Sequence, residues 1–386
     1  MQSRTIDRRT FLGQAAGVAV AAAWPAFAQE PPKRVRVGVI GCGSVSGQYL
    51  PHLSKSPFAE VVSTCDIIPE RAKSRAEEFK VPNHYPHIDA MLAGAPFDLL
   101  INLTDMQEHE RLNRQALEAG KHVWSEKPIA NSLAGGQALL ALARQRNLKI
   151  WAAPTVVNSP QFAFMARTLA AGKLGRVSAA HASYGHTGPD WSAFFYEKGG
   201  GSLPDLGVYN LHTLTGLLGP ARAVTAMTSI ITKTRKTQNK GEITVEAEDN
   251  AMVLLDHGGG VLSHVQCGFN YFDPHGHDAT GAERATITLF GTAGNMQLVG
   301  YDWGPKGVDL ATVDQPKPQR HATDTQGYVW QEGASHVCEC LATGRTSLIT
   351  PEHALHVVEI IEAARQSQET GRRIELRSTF NWPVIA

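Results

Sequence analysis

The sequence predicts an α/β protein with an N-terminal doubly wound parallel sheet and a C-terminal α/β domain built on a large open, mostly antiparallel sheet. Residues 33–151 alternate short apolar strand patterns with helical patterns, which is typical of consecutive βαβ units. From about residue 152 the pattern changes to long stretches of alternating apolar and polar residues, which favour antiparallel strands. The chain is also too long for a single core, so two domains are expected.

The first domain, residues 33–151, is expected to alternate strands and helices throughout. Its predicted strands are 35–40, 61–66, 98–103, 121–124 and 148–151, and its clearest helices are 107–119 and 132–146. The second domain, 152–326, is expected to begin with a helix, a strand and a second helix at 161–171, 177–183 and 204–217. Its sheet is predicted at 222–231, 249–256, 260–270, 284–290 and 294–299, and 301–326 is interpreted as an irregular surface loop. Two helices, 328–342 and 351–369, are expected to close the structure within residues 327–386.

The N-terminal segment has the features of an export signal. Arg8 and Arg9 precede an uncharged, alanine-rich stretch that ends in a small-x-small cleavage motif at Ala26 and Ala28. The paired arginines resemble a twin-arginine signal, which exports folded proteins. We therefore expect a signal peptide over residues 1–28 and a periplasmic protein with no membrane attachment after cleavage. The alternative is an uncleaved anchor, which a short and weakly apolar run disfavours.

A strand followed by a glycine turn is the strongest indication of a cofactor. The first apolar strand runs into Gly41-x-Gly43-x-x-Ser46, and a helical pattern follows from about Ser44. Glycine is needed where a dinucleotide diphosphate approaches the backbone, and the helix N-terminus presents free N–H groups to the negative charge. We expect Gly41, Gly43, Ser44, Val45 and Ser46 to bind the diphosphate. Ser46 stands where the fingerprint usually has Gly or Ala, and it is small enough for close packing of the helix on the strand. An ordinary strand–turn–helix remains the alternative for this pattern alone.

Asp66 closes the next predicted strand, about 20 residues beyond the turn. A carboxylate there can hydrogen-bond the ribose 2′-hydroxyl and would repel a 2′-phosphate, so it favours NAD over NADP. The alternative is that Asp66 caps the helix that starts near Pro69. An exported protein has reason to carry NAD out in its folded form, because free NAD is not expected outside the cytoplasm. Such a cofactor would have to be regenerated in place.

Composition excludes some classes of function. Lysine plus arginine and aspartate plus glutamate each total 36, so the formal net charge is zero, which argues against a nucleic-acid partner and favours a small neutral substrate. The five cysteines include no Cys-x-x-Cys pair, so neither a zinc site nor a disulfide framework is expected. His275, His277 and Asp278 are interpreted as a polar loop, with metal binding as the alternative, and no metal is expected.

Polar residues follow two further strands of the first domain at their carboxyl ends, where an α/β sheet faces its ligand. Asn102 and Thr104 can donate to ribose or diphosphate, and His109 on the next helix either contacts the cofactor or packs against its helix. Glu126 and Lys127 precede Pro128, which forces Lys127 into an extended conformation and fixes its direction. A lysine there can hold a substrate hydroxyl and neutralise a developing alkoxide, although a surface charge is the alternative.

Three polar residues share one face of a predicted helix in the second domain. Asp205, Tyr209 and His212 stand at i, i+4 and i+7, directly after three glycines at 199–201. A polar outer face is the alternative, and the apolar residues beside them disfavour it.

Together these motifs resemble the Gfo/Idh/MocA oxidoreductases, a family that includes glucose–fructose oxidoreductase and inositol dehydrogenases. The resemblance implies a Rossmann domain followed by an α/β domain whose open sheet is often buried in a dimer or tetramer, hence a homodimer or homotetramer here. It also implies hydride transfer between nicotinamide C4 and a carbon of a sugar or cyclitol, with NAD as the cofactor. Lys127 matches the lysine of the family's Glu-Lys-Pro motif, beside Glu126, and Asp205 matches its helix aspartate.

Two positions on the helix depart from the commonest family pattern. Many members have histidine where this chain has Tyr209, but glucose–fructose oxidoreductase has tyrosine there and is likewise exported by the twin-arginine route. Many members have aspartate where this chain has His212. We expect Tyr209 to be the acid/base, with its pKa lowered by Lys127 and the nicotinamide charge, and His212 to be the next candidate.

The loop before the three glycines is expected to line the substrate site. His186, Asp190 and Trp191 lie on it, and a tryptophan suits stacking on a pyranose face, although ordinary loop residues are an equal alternative. Asp205 is expected to bind sugar hydroxyls, and Lys127 to orient the reacting one. The favoured function is a periplasmic NAD-dependent sugar, glycoside or cyclitol oxidoreductase. The alternatives are a redox-neutral glycoside hydrolase that uses NAD transiently and a non-catalytic sugar-binding protein.

Overall fold

The first domain of the computed structural model is a six-stranded parallel sheet in the order β3-β2-β1-β4-β5-β6. Its strands are β1 (Val35–Ile40), β2 (Ala59–Cys65), β3 (Asn83–Tyr85), β4 (Leu99–Asn102), β5 (His122–Ser125) and β6 (Ile150–Ala152). Its helices are α1 (Ser46–Leu53), α2 (Pro69–Phe79), α3 (Ile88–Ala93), α4 (His109–Glu118) and α5 (Leu133–Gln145). The central strands are buried along nearly their whole length, as expected when helices cover both faces of a parallel sheet. The predicted doubly wound sheet is confirmed.

The structure describes residues 33–272 and 284–385. The export signal predicted over 1–28 and the loop histidines His275 and His277 lie outside the described residues. No helix in the described part of the chain is both long enough and apolar enough to cross a membrane.

The second domain contains a nine-stranded sheet in the order β16-β15-β14-β13-β7-β12-β11-β8-β17. The strands are β7 (Val177–Gly185), β8 (Ala223–Ser229), β11 (Asn250–Gly258), β12 (Val261–Gly268), β13 (Ala285–Gly291), β14 (Gly294–Tyr301), β15 (Gly304–Thr312), β16 (Gln315–His321) and β17 (Ile374–Glu375), and a separate hairpin joins β9 (Thr234–Thr237) to β10 (Gly241–Thr244). All neighbours in the large sheet are antiparallel except β7 and β12. The predicted open and mostly antiparallel sheet is confirmed.

The described residues of this half of the chain form four α-helices: α6 (Pro160–Ala170), α7 (Val208–Leu218), α8 (Gly333–Thr343) and α9 (Pro351–Thr370). Helix α9 packs against β8 and α7 on one side and against α5 and β6 of the first domain on the other, so it joins the two sheets. Its ends follow from the sequence: Thr350 accepts a hydrogen bond from the His353 N–H, Pro351 occupies the first turn, and Gly371 ends the helix with a φ of 65°.

The opposite face of the large sheet is open. Along β11 the side chains alternate between buried and exposed positions, and Met252 and Leu254 are 48% and 55% exposed. Met227 on β8 and Leu262 on β12 continue the same apolar surface at 75% and 56% exposure. An apolar face of this extent is typical of a surface that meets another protein.

The prediction of an irregular loop over 301–326 is wrong. Residues Gly304–Thr312 and Gln315–His321 form β15 and β16. Strand β16 is the outermost strand, nearly all of its residues are exposed, and it contains Pro316 and Pro318. An edge strand needs no apolar alternation and tolerates proline, so its sequence has the polar character of a loop.

Candidate active site

The glycine turn has the geometry that a diphosphate requires. Gly41 has a φ of +88°, and a Cβ there would lie 2.5 Å from the backbone carbonyl of Leu103. A Cβ on Gly43 would meet nothing within 4 Å, so this residue borders open space. Helix α1 begins at Ser46 rather than Ser44, and no side chain caps its first turn. The turn therefore leaves both space and backbone N–H groups for an anionic group.

Ser46 and Asp66 hold this turn in place. The Ser46 hydroxyl donates to the Gly43 carbonyl at 2.7 Å and accepts from the Arg75 guanidinium at 3.0 Å, which ties the turn to α2. The Asp66 carboxylate accepts from the N–H groups of Cys42 and Ile68 at 2.7 and 2.8 Å. Asp66 thus stands at the end of β2 against the glycine turn, where its ribose contact is predicted.

Asn102, the last residue of β4, supports the loop that follows this strand. Its amide donates to Asn113 at 2.9 Å, its carbonyl accepts from the Thr104 hydroxyl at 2.7 Å, and it has no exposed surface. Asn102 therefore supports Thr104 and is not placed to donate to a cofactor, because both ends of its amide bond within the protein. Thr104 itself lines the cavity.

His109 connects this loop to the loop that carries Lys127. Its Nδ1 lies 2.8 Å from the Pro128 carbonyl and its Nε2 lies 2.9 Å from the Thr104 carbonyl. Burial lowers its pKa. The ring borders the cavity, but its nitrogens are turned toward the backbone, so His109 positions the two loops.

The two domains meet at a short ion pair. Lys127 Nζ lies 2.6 Å from Asp205 Oδ1 and also donates to the Asp205 carbonyl at 3.0 Å. The two side chains are only 12% and 11% exposed. Glu126, just before Lys127, accepts from the Tyr49 hydroxyl at 2.6 Å and from the Lys127 N–H at 3.0 Å, so the loop conformation is fixed on both sides.

Asp205 lies on a π-helical turn, Leu203–Gly207, that precedes α7. The prediction of a regular helix over 204–217 is therefore corrected in its first turn, where the Val208 N–H reaches back to the Leu203 carbonyl. Such a turn displaces the ordinary hydrogen-bond ladder and is frequent at functional sites. Lys127 supplies a donor to the Asp205 carbonyl in this turn.

Tyr209 lies one turn further, with its ring centre 5.3 Å from Lys127 Nζ. Burial raises the pKa of Tyr209 well above its ordinary value, and the charges of Glu126, Asp205 and Asp302 add to the effect. The expectation that Lys127 lowers this pKa is wrong, because burial and the neighbouring carboxylates raise it. Tyr209 is accordingly protonated at neutral pH.

A cavity of about 430 Å³ brings these groups together. Its lining includes most of the predicted cofactor, substrate and catalytic residues: Val45, Thr104, His109, Glu126, Lys127, His186, Trp191, Asp205 and Tyr209. Part of its wall is aromatic, formed by Trp191, Phe194 and Phe195.

Two residues predicted to be catalytic or to bind substrate lie outside the cavity. His212 does not line the cavity; it is buried against His353 of α9, with its Nδ1 2.9 Å from the Val208 carbonyl, and burial lowers its pKa to about 4. Asp190 is exposed outside the cavity, where its carboxylate accepts from Gln238 at 3.2 Å. The spacing on the helix put His212 near Tyr209 but could not show that α9 covers that part of the surface.

Sequence reasoning also missed an ion pair between the buried Glu248 and the partly exposed Arg365, which holds the start of the π-helical turn. Glu248 Oε1 accepts from the Leu203 N–H at 3.3 Å, and Arg365 donates to the Gly200 carbonyl at 2.7 Å and to Glu248 at 3.4 Å. Gly201, between them, has a φ of +118°, and a Cβ there would lie 2.3 Å from Glu248. Phe194 and Phe195 were also missed, although their aromatic run before the glycines was a visible signal.

Comparison with known families agrees with this geometry. The model described as "Oxidoreductase family, NAD-binding Rossmann fold" matches residues 35–153, and the GFO/IDH/MocA C-terminal domain matches residues 162–297. The chain belongs to the GFO/IDH/MocA oxidoreductases. It is an NAD-dependent oxidoreductase of the α/β class, and NAD is its cofactor.

Individual relatives are similar over nearly the whole chain. Bovine trans-1,2-dihydrobenzene-1,2-diol dehydrogenase is 26% identical over 86% of this chain and 96% of its own length. D-apiose dehydrogenase of Paraburkholderia graminis is 26% identical over 90% of this chain and 91% of its own. The crystal structure of GenD2 from gentamicin A biosynthesis, in complex with NAD, superposes with a TM-score of 0.72 at 26% identity, covering 90% of this chain and 98% of that one.

Proposed function

We propose that this protein is a periplasmic oxidoreductase that moves hydride between a tightly held NAD and a hydroxyl-bearing carbon of a sugar, glycoside or cyclitol. One observation carries the proposal: Lys127, Asp205 and Tyr209 meet in the same cavity that Val45 and Thr104 border from the cofactor side. Bound NAD would supply the hydride acceptor or donor. The named relatives act on a cyclic diol and on a sugar, which supports a ring hydroxyl as the reacting group.

The Lys127–Asp205 pair would orient the substrate. Lys127 directs two donors to Asp205, which leaves the third ammonium proton for a substrate oxygen. Asp205 Oδ1 faces Lys127, so Oδ2 can accept from a neighbouring hydroxyl. A lysine and a carboxylate side by side can thus hold two adjacent hydroxyls, which is the pattern of a ring diol.

Tyr209 would handle the proton. Because burial keeps its hydroxyl protonated, it is suited to donate to the carbonyl oxygen in the direction of reduction. In the direction of oxidation Tyr209 would first release its own proton to solvent, and the phenolate would then accept the proton of the substrate hydroxyl. The adjacent Lys127 would stabilise the negative charge on the phenolate and on the alkoxide that forms. The role of His212 as an alternative acid/base is not proposed, since it lies outside the cavity.

Export would follow the twin-arginine route, since Arg8 and Arg9 precede a weakly apolar stretch. Replacing both arginines by lysine should leave the protein in the cytoplasm, as measured by cell fractionation. Unchanged export would contradict the folded, cofactor-loaded route.

We also propose that two or four copies associate through the open sheet face around Met227, Met252, Leu254 and Leu262, whose exposed apolar side chains suit a protein partner.

The proposal is tested by denaturing the protein purified from the periplasm and identifying the released nucleotide and its redox state. NAD or NADH in about equal amount to the chain is expected; no nucleotide, or mainly NADP, would contradict it. The holoenzyme is then supplied with neutral sugars and glycosides while absorbance at 340 nm is followed. Appearance of NADH supports the oxidoreductase, whereas aglycone release without net NADH supports a redox-neutral hydrolase.

A further inference from the structure

The aromatic part of the cavity wall forms a corner. Phe194 and Phe195 are in contact but tilted, with ring centres 3.9 Å apart and an angle of 31° between their planes. Trp191 stands almost perpendicular to Phe195, at 88° and 4.8 Å, and at 70° to Phe194. A planar ring placed in such a corner stacks on one wall and meets the other edge-on, which are the two arrangements that aromatic rings prefer.

Trp191 remains 39% exposed in this position, in spite of its packing on both phenylalanines. A large indole surface beside a cavity gains stability when an apolar group covers it. One sugar face covers a single ring, whereas Trp191 and the partly exposed Phe194 together offer apolar surface that a second ring can cover.

The cavity also offers little to an anion. Among its described lining residues Lys127 is the sole lysine or arginine, and it lies 2.6 Å from Asp205. Glu126 adds a second carboxylate to the same lining. An anionic substrate would therefore meet two carboxylates and no unpaired lysine or arginine, and like charges brought together in this way disfavour binding.

We propose that the site binds an uncharged sugar ring that carries an aromatic substituent, that is, a neutral aryl glycoside. The inference rests on the proposed function for the position of the sugar ring, whose adjacent hydroxyls lie on Lys127 and Asp205. The aryl group fills the corner of Trp191, Phe194 and Phe195. The same lining excludes uronates, sugar phosphates and nucleotide-linked sugars.

The test is equilibrium binding by titration calorimetry to the NAD-loaded protein. The probes are 4-nitrophenyl, methyl and unsubstituted forms of glucose, galactose, mannose and xylose, with 4-nitrophenyl glucuronide as the charged match of the glucoside. The best 4-nitrophenyl glycoside is expected to bind about fivefold more tightly than its methyl counterpart. The glucuronide is expected to bind about tenfold more weakly than the glucoside, or worse.

Variants assign each preference to its cause. Trp191→Ala should abolish the aryl preference, because it should weaken binding of the 4-nitrophenyl glycoside more than binding of its methyl counterpart. Phe272 is an 83% exposed ring outside the cavity lining, so Phe272→Ala should change neither affinity. Asp205→Asn removes the partner of Lys127 and should improve glucuronide binding about tenfold relative to the glucoside. Glu77→Gln, which removes an exposed carboxylate on α2, should leave that ratio unchanged.

The inference would be overturned if the glucuronide bound more tightly than the glucoside. It would also be overturned if aryl and methyl glycosides bound equally well, or if no probe bound. The results that would refute this inference differ from those that would refute the proposed function. Aryl-selective binding without net NADH formation would contradict the proposed oxidoreductase and leave the binding inference standing. NADH formation from the glucuronide in preference to the glucoside would support the oxidoreductase and refute the neutral aryl site.

Discussion

Replacing Lys127 by methionine should destabilise the protein by about 3 kcal/mol. Removal of one partner from a fully buried ion pair costs roughly 3–5 kcal/mol, because the remaining charge is left unpaired. The Lys127 and Asp205 side chains are 12% and 11% exposed. Water therefore partly screens the carboxylate that is left unpaired, which lowers the cost to about 2 kcal/mol. The lost hydrogen bond to the Asp205 carbonyl adds about 1 kcal/mol.

Thermal unfolding measures the effect. For a protein of this size about 3 kcal/mol corresponds to a fall in Tm of roughly 4 °C. The double variant Lys127→Met with Asp205→Asn should recover about 2 kcal/mol of that loss, because no buried charge remains unpaired.

The exposed pair of Lys240 and Glu197 provides the matched control. These side chains also lie 2.5 Å apart, but they are 54% and 36% exposed. Lys240→Met should therefore lower Tm by less than about 2 °C. An equally small effect of Lys127→Met, or strictly additive losses in the double variant, would refute the reasoning that this pair is a coupled, desolvated unit.

The remaining predictions concern chemistry, cofactor and pH. Tyr209→Phe should lower turnover by about two orders of magnitude or more while bound NAD, measured after acid extraction, stays unchanged; near-normal turnover would exclude Tyr209 as the acid/base. Gly43→Val should leave the fold intact by circular dichroism but empty the cofactor site, since its side chain would fill the open space before the turn. His212 and His356 keep a pKa of about 4 in the folded protein against 6.5 when unfolded, so only the unfolded state gains protons as the pH falls from 6.5 toward 4. At pH 5 each histidine should cost about 2 kcal/mol of stability, and His212→Gln should flatten the fall of Tm with acidity. Burial raises the pKa of Asp302 from 3.8 to about 6, so stability falls as the pH rises between these values. Asp302→Asn should raise stability above pH 6 by on the order of 3 kcal/mol and lose this advantage below pH 4, as measured by Tm against pH.

Much of the fold could be predicted because many of its strands and helices have recognisable local sequence patterns. The central strands of the first domain are short apolar runs, and the strand–glycine turn–helix around Gly41 requires positive φ at a fixed place. Along β11 of the second sheet, buried and exposed residues alternate with a period of two. The short edge strand β3, Asn83–Tyr85, escaped prediction because three polar or aromatic residues carry no periodicity.

Only the parts of the site that carry local sequence motifs could be predicted. Lys127 and Asp205 were both recognisable from their motifs, but nothing in the sequence shows that they form a pair across the domains. Burial, followed by the charges of Glu126, Asp205 and Asp302, raises the pKa of Tyr209, and the sequence could not show that these groups surround it. Glu248 illustrates the same limit, since its contact with Leu203 joins residues 45 positions apart.

We propose that Lys127, Asp205 and Tyr209 act on a substrate carbon held against a resident NAD. The most direct measurement mixes the purified holoenzyme with neutral glycosides, in amounts that allow one turnover, and follows the nucleotide that stays on the protein. Conversion of bound NAD to bound NADH in the wild type, slowed at least about a hundredfold in Tyr209→Phe, is the predicted result. A resident nucleotide that keeps its redox state with every neutral sugar and glycoside, or equal rates in the two proteins, would contradict the account.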